Sequence, residues 1–294
     1  MSEIFLLLLF ISLGIKFRAS CEERELRNLK HQHHWNMIQY QGQGRIGILA
    51  LHGFGVCPQL FNPWLSKWRE HGWSYRIPML TGSVESIYEF ENSRWQDWEQ
   101  RALRAYDELS ATHEKVFIVG FSKGGLTAVR VAQLRKPSCI VLLAPFFALA
   151  SPLGSLGEWL LSSIENWPSG IFIPNKSLDC SNLKGVQTLF RFRHSPLRAV
   201  VELLKFRDEV VNGGRVECPI FWSHSIKDHV ASYSASLDTV LNLSTNVHRV
   251  SLKDSFHYIL HDVESELLED KVVEFLLHQA RFDQKVTGDT YLKP

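Results

Sequence analysis

Short runs of aliphatic and β-branched residues alternate along this chain with stretches in which apolar residues recur every three to four positions. The runs at 46–51, 73–77, 115–121, 139–144, 219–224 and 247–252 predict strands. Between them, Leu60, Phe61, Trp64, Leu65 and Trp68 fall at helical spacing, as do Trp95, Trp98, Ala102, Tyr106 and Leu109. Residues 126–134, 197–211 and 232–241 also read as helices, and Leu267, Leu268, Val272, Phe275 and Leu276 mark a closing one. Ser93 with Gln96 three residues on reads as a capping box, and Asp262 as the cap of the last helix. Strand, helix and strand in succession imply an α/β protein with a mostly parallel sheet and right-handed crossovers.

The alternation fails between residues 146 and 214, where Leu, Phe and Trp are punctuated by Ser, Gly and Pro. This stretch is expected to be a helical cap inserted after the strand ending near Ala144. The core is then 30–145 with 215–282. Residues 1–21 form a separate apolar segment. Its apolar part, 4–15, is shorter than the roughly 20 residues of a spanning helix and suits the core of a signal peptide. Its flanks are inverted, with Glu3 before and Lys16 and Arg18 after, and Ala19-Ser20-Cys21 offers a cleavage or lipid-attachment site. Export or membrane attachment through 4–15 is one expectation. The others are a short helix packed on a cytoplasmic domain, or residues added by an upstream start.

Composition narrows the choices. A chain of 294 residues, 45% apolar, can bury a substantial core in one domain with an insertion. A formal charge of +1, from 32 basic and 31 acidic residues, makes no electrostatic case for nucleic acid. Five cysteines without Cys-x-x-Cys or zinc-like spacing indicate neither a metal site nor a disulfide framework. His31, His33 and His34 have no carboxylate or cysteine at ligand spacing and read as a solvated tail.

The chemistry is concentrated where the 115–121 strand runs into Gly120-Phe121-Ser122-Lys123-Gly124. Glycines two residues to either side of a serine permit a sharp strand-to-helix turn that leaves the hydroxyl exposed. A serine hydroxyl needs a base, an orienting carboxylate and oxyanion donors before it acts as a nucleophile. Asp228 and His257 each lie just past a predicted strand end, where open α/β sheets place their ligand sites. Asp254 and Asp262 are rival carboxylates near His257. His261 stands one helical turn beyond it without a third metal ligand, and His224 and His229 are expected to be structural.

In the order Ser122, Asp228, His257, the chain resembles the α/β-hydrolase family, within it the small capped carboxylesterases and monoacylglycerol-lipase-like enzymes. The resemblance is carried by Leu51-His52-Gly53-Phe54-Gly55, Arg94-Trp95-Gln96-Asp97-Trp98, Gly120-Phe121-Ser122-Lys123-Gly124-Gly125, Ile226-Lys227-Asp228-His229-Val230 and Ser255-Phe256-His257-Tyr258-Ile259. It implies an α/β-hydrolase fold with Ser122 as nucleophile, His257 as general base and acid, and Asp228 orienting the imidazole. The backbone N–H groups of Phe54 and Lys123 would form the oxyanion hole.

Two positions depart from the family pattern: Thr81-Gly82-Ser83 replaces a Gly-His-Gly turn, and Lys123 stands where an apolar residue or Gln is usual. The Lys123 ammonium is expected to reach solvent, with preference for an anionic acyl or leaving group as the alternative. The resemblance implies a serine hydrolase cleaving carboxylic esters of small-molecule or lipid-like substrates, without cofactor or metal. Phe146, Phe147, Leu153, Leu156, Trp159 and Leu160 are the expected acyl-binding residues. A thioesterase, acyltransferase or peptidase would use the same groups, and a non-catalytic binding protein on this scaffold is a further alternative.

Overall fold

In a computed structural model, the apolar runs become neighbouring strands of one sheet. The structure describes residues 37–80, 86–150, 158, 168–175, 179–182, 186 and 189–281. The strands are β1 (Ile38–Tyr40), β2 (Ile46–Leu51), β3 (Ser74–Ile77), β4 (Lys115–Phe121), β5 (Cys139–Leu143), β6 (Phe172–Pro174), β7 (His194–Pro196), β8 (Ile220–Ser225) and β9 (Val247–Leu252). A seven-stranded sheet has the order β1-β3-β2-β4-β5-β8-β9, and β6 pairs with β7 apart from it. All neighbours in the large sheet are parallel except the edge pair β1–β3.

The central strands are apolar at nearly every position because helices cover both faces. Successive residues of a strand still serve opposite sides: Phe117 and Val119 join one buried cluster, Val116 and Ile118 the other. A 3-10 helix over Pro58–Trp64, where the apolar spacing predicted the start of an α-helix, and helices α1 (Leu65–Glu70), α2 (Ile87–Asn92), α3 (Trp95–Ser110), α4 (Lys123–Leu134), α5 (Leu197–Asn212), α6 (Tyr233–Leu243) and α7 (Ser265–Arg281) complete the described elements. Leu65 and Trp68 of α1 pack with Leu268, Val272 and Leu276 of α7 on one side of the sheet. Trp98 of α3, Val129 of α4, Phe206 of α5 and Val240 of α6 pack on the other. The stretch that opens at Phe146 thus closes with a helix belonging to a sheet-covering layer.

Several local expectations need correction. Helix α3 begins at Trp95, and its reciprocal cap is Asp97 accepting from the backbone N–H of Arg94 at 3.0 Å. Ser93 is occupied otherwise: its hydroxyl donates to Phe90 O at 2.8 Å and accepts from Trp98 Nε1 at 3.2 Å. Asp262 does not cap α7 with its carboxylate, which instead accepts from the backbone of Ser181, Asn182, Val263 and Phe256. β5 stops at Leu143 because Ala144 turns to φ 43°, its N–H donating to Ser223 O at 2.8 Å. No described helix is long and apolar enough to cross a membrane. Residues 1–21, the three early histidines and Thr81-Gly82-Ser83 lie outside the described residues.

Candidate active site

β4 and α4 meet at Ser122, whose φ of 53° and ψ of −116° place a non-glycine residue in strained backbone geometry. The turn is held on both sides: Ser122 N–H donates to Leu143 O at 2.9 Å, and Ser122 O accepts from Gly125 and Phe146 N–H at 2.9 and 3.2 Å. Close approach is what requires the flanking glycines. A Cβ on Gly120 would lie 2.2 Å from Gly124 O, and one on Gly124 would lie 1.9 Å from Leu51 O. The motif therefore lets β2, β4 and α4 converge until the backbone of one touches the next, with the serine at the apex.

The loops after β8 and β9 bring two side chains to that apex. His257 Nε2 lies 3.1 Å from Ser122 Oγ, and His257 Nδ1 lies 2.7 Å from Asp228 Oδ2. An ionised carboxylate only accepts, so Nδ1 carries the ring hydrogen and Nε2 presents its lone pair to the hydroxyl. Asp228 is buried, and its Oδ1 accepts from Val230 and Ala231 N–H, both at 2.8 Å. Burial alone pushes this carboxyl up. The field of His257 and hydrogen bonds from His224 and His257 overcome that, holding it well below the usual carboxylate range. The rivals are engaged elsewhere, Asp254 with Lys227 at 3.0 Å and Asp262 with the 181–182 backbone. His261 directs Nε2 to Leu60 O at 2.9 Å, and no described group of His, Cys, Asp or Glu could hold a metal ion.

Two residues that sequence reasoning treated as structural, or missed, touch this array. His224 Nε2 lies 2.9 Å from Asp228 Oδ2 and 3.2 Å from Ala231 O, both acceptors, so this nitrogen is the protonated one. Asp179, in the stretch between β6 and β7, accepts from His229 N–H at 2.9 Å and His257 N–H at 3.2 Å, and its other oxygen meets His229 Nδ1 at 2.8 Å. One carboxylate thereby ties together the loops of the candidate acid and base. A separation of 50 and 78 residues along the chain left no sequence signal for it.

Phe54 and Lys123 lie just past the ends of the adjacent strands β2 and β4. His52 orders the Phe54 turn: Nδ1–H donates to Gly53 O at 3.0 Å and Nε2 accepts from Leu80 N–H at 3.1 Å. Burial, with the Lys123 charge, pushes the His52 imidazole down to about 3. The Lys123 side chain does not reach solvent. It is 0% exposed, with Nζ 4.6 Å from the ring centroid of Trp98 and no hydrogen-bond partner among the described residues. Its helical position faces it inward, between the sheet and α3.

Phe146 and Phe147 are buried in the cluster between the sheet and α3–α6. Phe146 also donates its N–H to Ser122 O. Leu153, Leu156, Trp159 and Leu160 lie outside the described residues.

Sheet order, the strained turn at Ser122 and the hydrogen-bonded line Ser122–His257–Asp228 are those of an α/β hydrolase of the serine type. A family model described as serine aminopeptidase, S33, matches residues 45–264, and the chain belongs to that hydrolase family. Over 248 residues it is 21% identical to a thermostable monoacylglycerol lipase of Bacillus sp. (strain H-257), covering 82% of this chain and 94% of the lipase. Among solved structures, one described with LipS and LipT, two metagenome-derived lipolytic enzymes, superposes with a TM-score of 0.73 at 23% identity. It covers 83% of this chain and 97% of that one. A soluble variant of the monoglyceride lipase from Saccharomyces cerevisiae gives 0.70 at 12% identity, covering 83% and 91%.

Proposed function

We propose that this hydrolase cleaves carboxylic esters, either short- and medium-chain acyl esters or monoacylglycerol-like lipids, through an acyl-enzyme on Ser122. The observation that carries the reading is the continuous hydrogen-bonded line from Ser122 Oγ through His257 to Asp228. His257 takes the hydroxyl proton as Oγ attacks the acyl carbon, and Asp228 stabilises the imidazolium. The Phe54 and Lys123 N–H groups receive the oxyanion, each donor contributing about 3 kcal/mol of transition-state stabilisation. His257 then returns the proton to the departing alcohol. In the second half, water gives up its proton to His257 and attacks the acyl carbon; the Oγ–acyl bond breaks, His257 returns the proton to Ser122 Oγ, and the acid leaves.

The names of the Bacillus and yeast relatives favour an ester, and a lipid-like one, over an amide. Within the stretch 146–214, between core segments 30–145 and 215–282, the part before the sheet-covering α5 would form the cap. Phe146, Phe147, Leu153, Leu156, Trp159 and Leu160 would receive the acyl chain. A panel that separates the readings sets p-nitrophenyl esters and monoacylglycerols of increasing chain length against acyl thioesters and aminoacyl p-nitroanilides. The proposal expects kcat/KM for the esters to exceed that for the anilides by at least about a hundredfold. An anilide preference would make the enzyme a peptidase, and a thioester preference a thioesterase.

A further inference from the structure

Lys123 is not explained by the acyl-enzyme chemistry, which uses only its backbone N–H. A lysine is seldom fully buried without an anionic partner, because an ammonium in a low-dielectric interior loses its hydration. Here the side chain is fully buried, and the face of Trp98 meets Nζ at 4.6 Å, supplying the attraction of an aromatic quadrupole for a cation. That indole is fixed: its Nε1 donates to Ser93 Oγ at 3.2 Å. It also meets the Phe54 ring edge-on at 6.2 Å, so one aromatic plate lies against the side chains of both oxyanion-hole residues.

Among the described residues, the charged groups on the surrounding elements pair elsewhere. On α3, Glu99 pairs with Arg130 at 2.6 Å and Asp97 with the Arg94 N–H at 3.0 Å. On α5, Glu202 is taken by Arg94 at 3.3 Å and Lys205 at 3.2 Å, and Glu209 by Arg130 at 2.9 Å. On its own helix α4, Arg130 holds those two carboxylates. After β2, His52 is locked neutral by its two backbone partners.

Building on the acyl-enzyme reading, we propose that the Lys123 side chain is a positioning residue. Docked on Trp98, its ammonium strengthens the oxyanion hole electrostatically, and its deprotonation removes part of the rate. The Lys123 N–H is one of the two proposed oxyanion donors, so its own side chain keeps the ammonium within a few bonds of the developing charge, and a positive charge in that buried interior favours the transition state over the neutral substrate. Burial pushes this amine down to about 7, so it changes charge within the working range of an esterase rather than far above it.

The test is the pH dependence of kcat and KM for p-nitrophenyl butyrate between about pH 5.5 and 9.5 in wild type, Lys123→Met and Trp98→Phe. Fluorophosphonate labelling of Ser122 is followed alongside. Wild type is expected to lose about tenfold in kcat across an alkaline ionisation. Lys123→Met should lack that limb and run at the reduced level at every pH where wild type is charged, with KM changed less than about threefold. Trp98→Phe should keep the limb but move it to lower pH, because a weaker quadrupole holds the ammonium less well. A Lys123→Met enzyme with the wild-type profile, or with the same fractional loss at every pH, would overturn the assignment. So would an unmoved limb in Trp98→Phe, the deciding variant if the methionine enzyme does not fold. Unlabelled wild type would overturn both this assignment and the acyl-enzyme reading. Full labelling with unchanged profiles would overturn this one alone.

Discussion

His224 Nε2 lies 2.9 Å from Asp228 Oδ2, the same oxygen that receives His257 Nδ1–H at 2.7 Å. The carboxylate is therefore held by two imidazoles on one oxygen and two backbone N–H groups on the other. Its orientation toward His257 depends on this balance. Replacing His224 with Phe keeps a ring and removes the donor, and kcat for ester hydrolysis is expected to fall about tenfold with KM little changed. Asp228→Asn removes the charge that stabilises the imidazolium, and about 10³–10⁴ in kcat should be lost. Steady-state kinetics on the two variants checks both.

Asp179 holds the loops of Asp228 and His257 from a segment far from both in sequence. Asp179→Ala leaves the backbone N–H of His257 and both donors of His229 without their acceptor. A decrease of about tenfold in kcat is expected. Asp179→Asn keeps an acceptor for one of the loops and should lose less. An unchanged kcat in Asp179→Ala would show that the two loops hold their register unaided.

Gly124→Ala places a methyl group 1.9 Å from Leu51 O, a backbone atom that no rotamer change can move aside. Either β2 or the nucleophile turn must shift. The expected cost is about 3 kcal/mol in unfolding free energy, with loss of most of the activity because His52 and Phe54 follow directly on Leu51. Chemical denaturation and ester turnover measure the two effects.

Lys123 also fixes the sign of a stability change. Its amine sits near 7 in the folded protein against 10.5 unfolded, so between these values the unfolded chain binds more protons and stability rises with pH. At and below pH 7 the folded protein bears the full penalty, on the order of 4–5 kcal/mol, and above about pH 10.5 it bears none. Lys123→Met is therefore expected to raise Tm most near pH 6, with the gain shrinking steadily toward pH 10. A gain independent of pH would contradict this.

Much of the scaffold was legible because buried parallel strands need uninterrupted apolar runs. The run 46–51 coincides with β2 and 139–143 with β5, both buried almost throughout. β1 escaped notice because an edge strand of three residues, half-exposed in Ile38-Gln39-Tyr40, carries no such run. The end of β5 was misplaced by one residue, since Ala144 looks like strand in composition and still donates to Ser223 O, while its φ of 43° ends the strand. At Ser93 the capping pattern was present, but the hydroxyl was claimed by Phe90 and Trp98, a competition invisible to a local motif.

Within the site, motif spacing brought out Ser122, Asp228 and His257 because each follows a strand. The burial of Lys123 depends on which face of α4 meets the sheet, and the roles of His224 and Asp179 depend on contacts between distant loops. Local pattern carries none of these.

The measurement that bears most directly on the central claim is intact-mass analysis after treatment with a fluorophosphonate, on wild type and Ser122→Ala. The account predicts one adduct on wild type, none on the variant, and ester turnover that falls in step with labelling. Labelling of the variant at the wild-type rate, or ester turnover undiminished by Ser122→Ala, would contradict it.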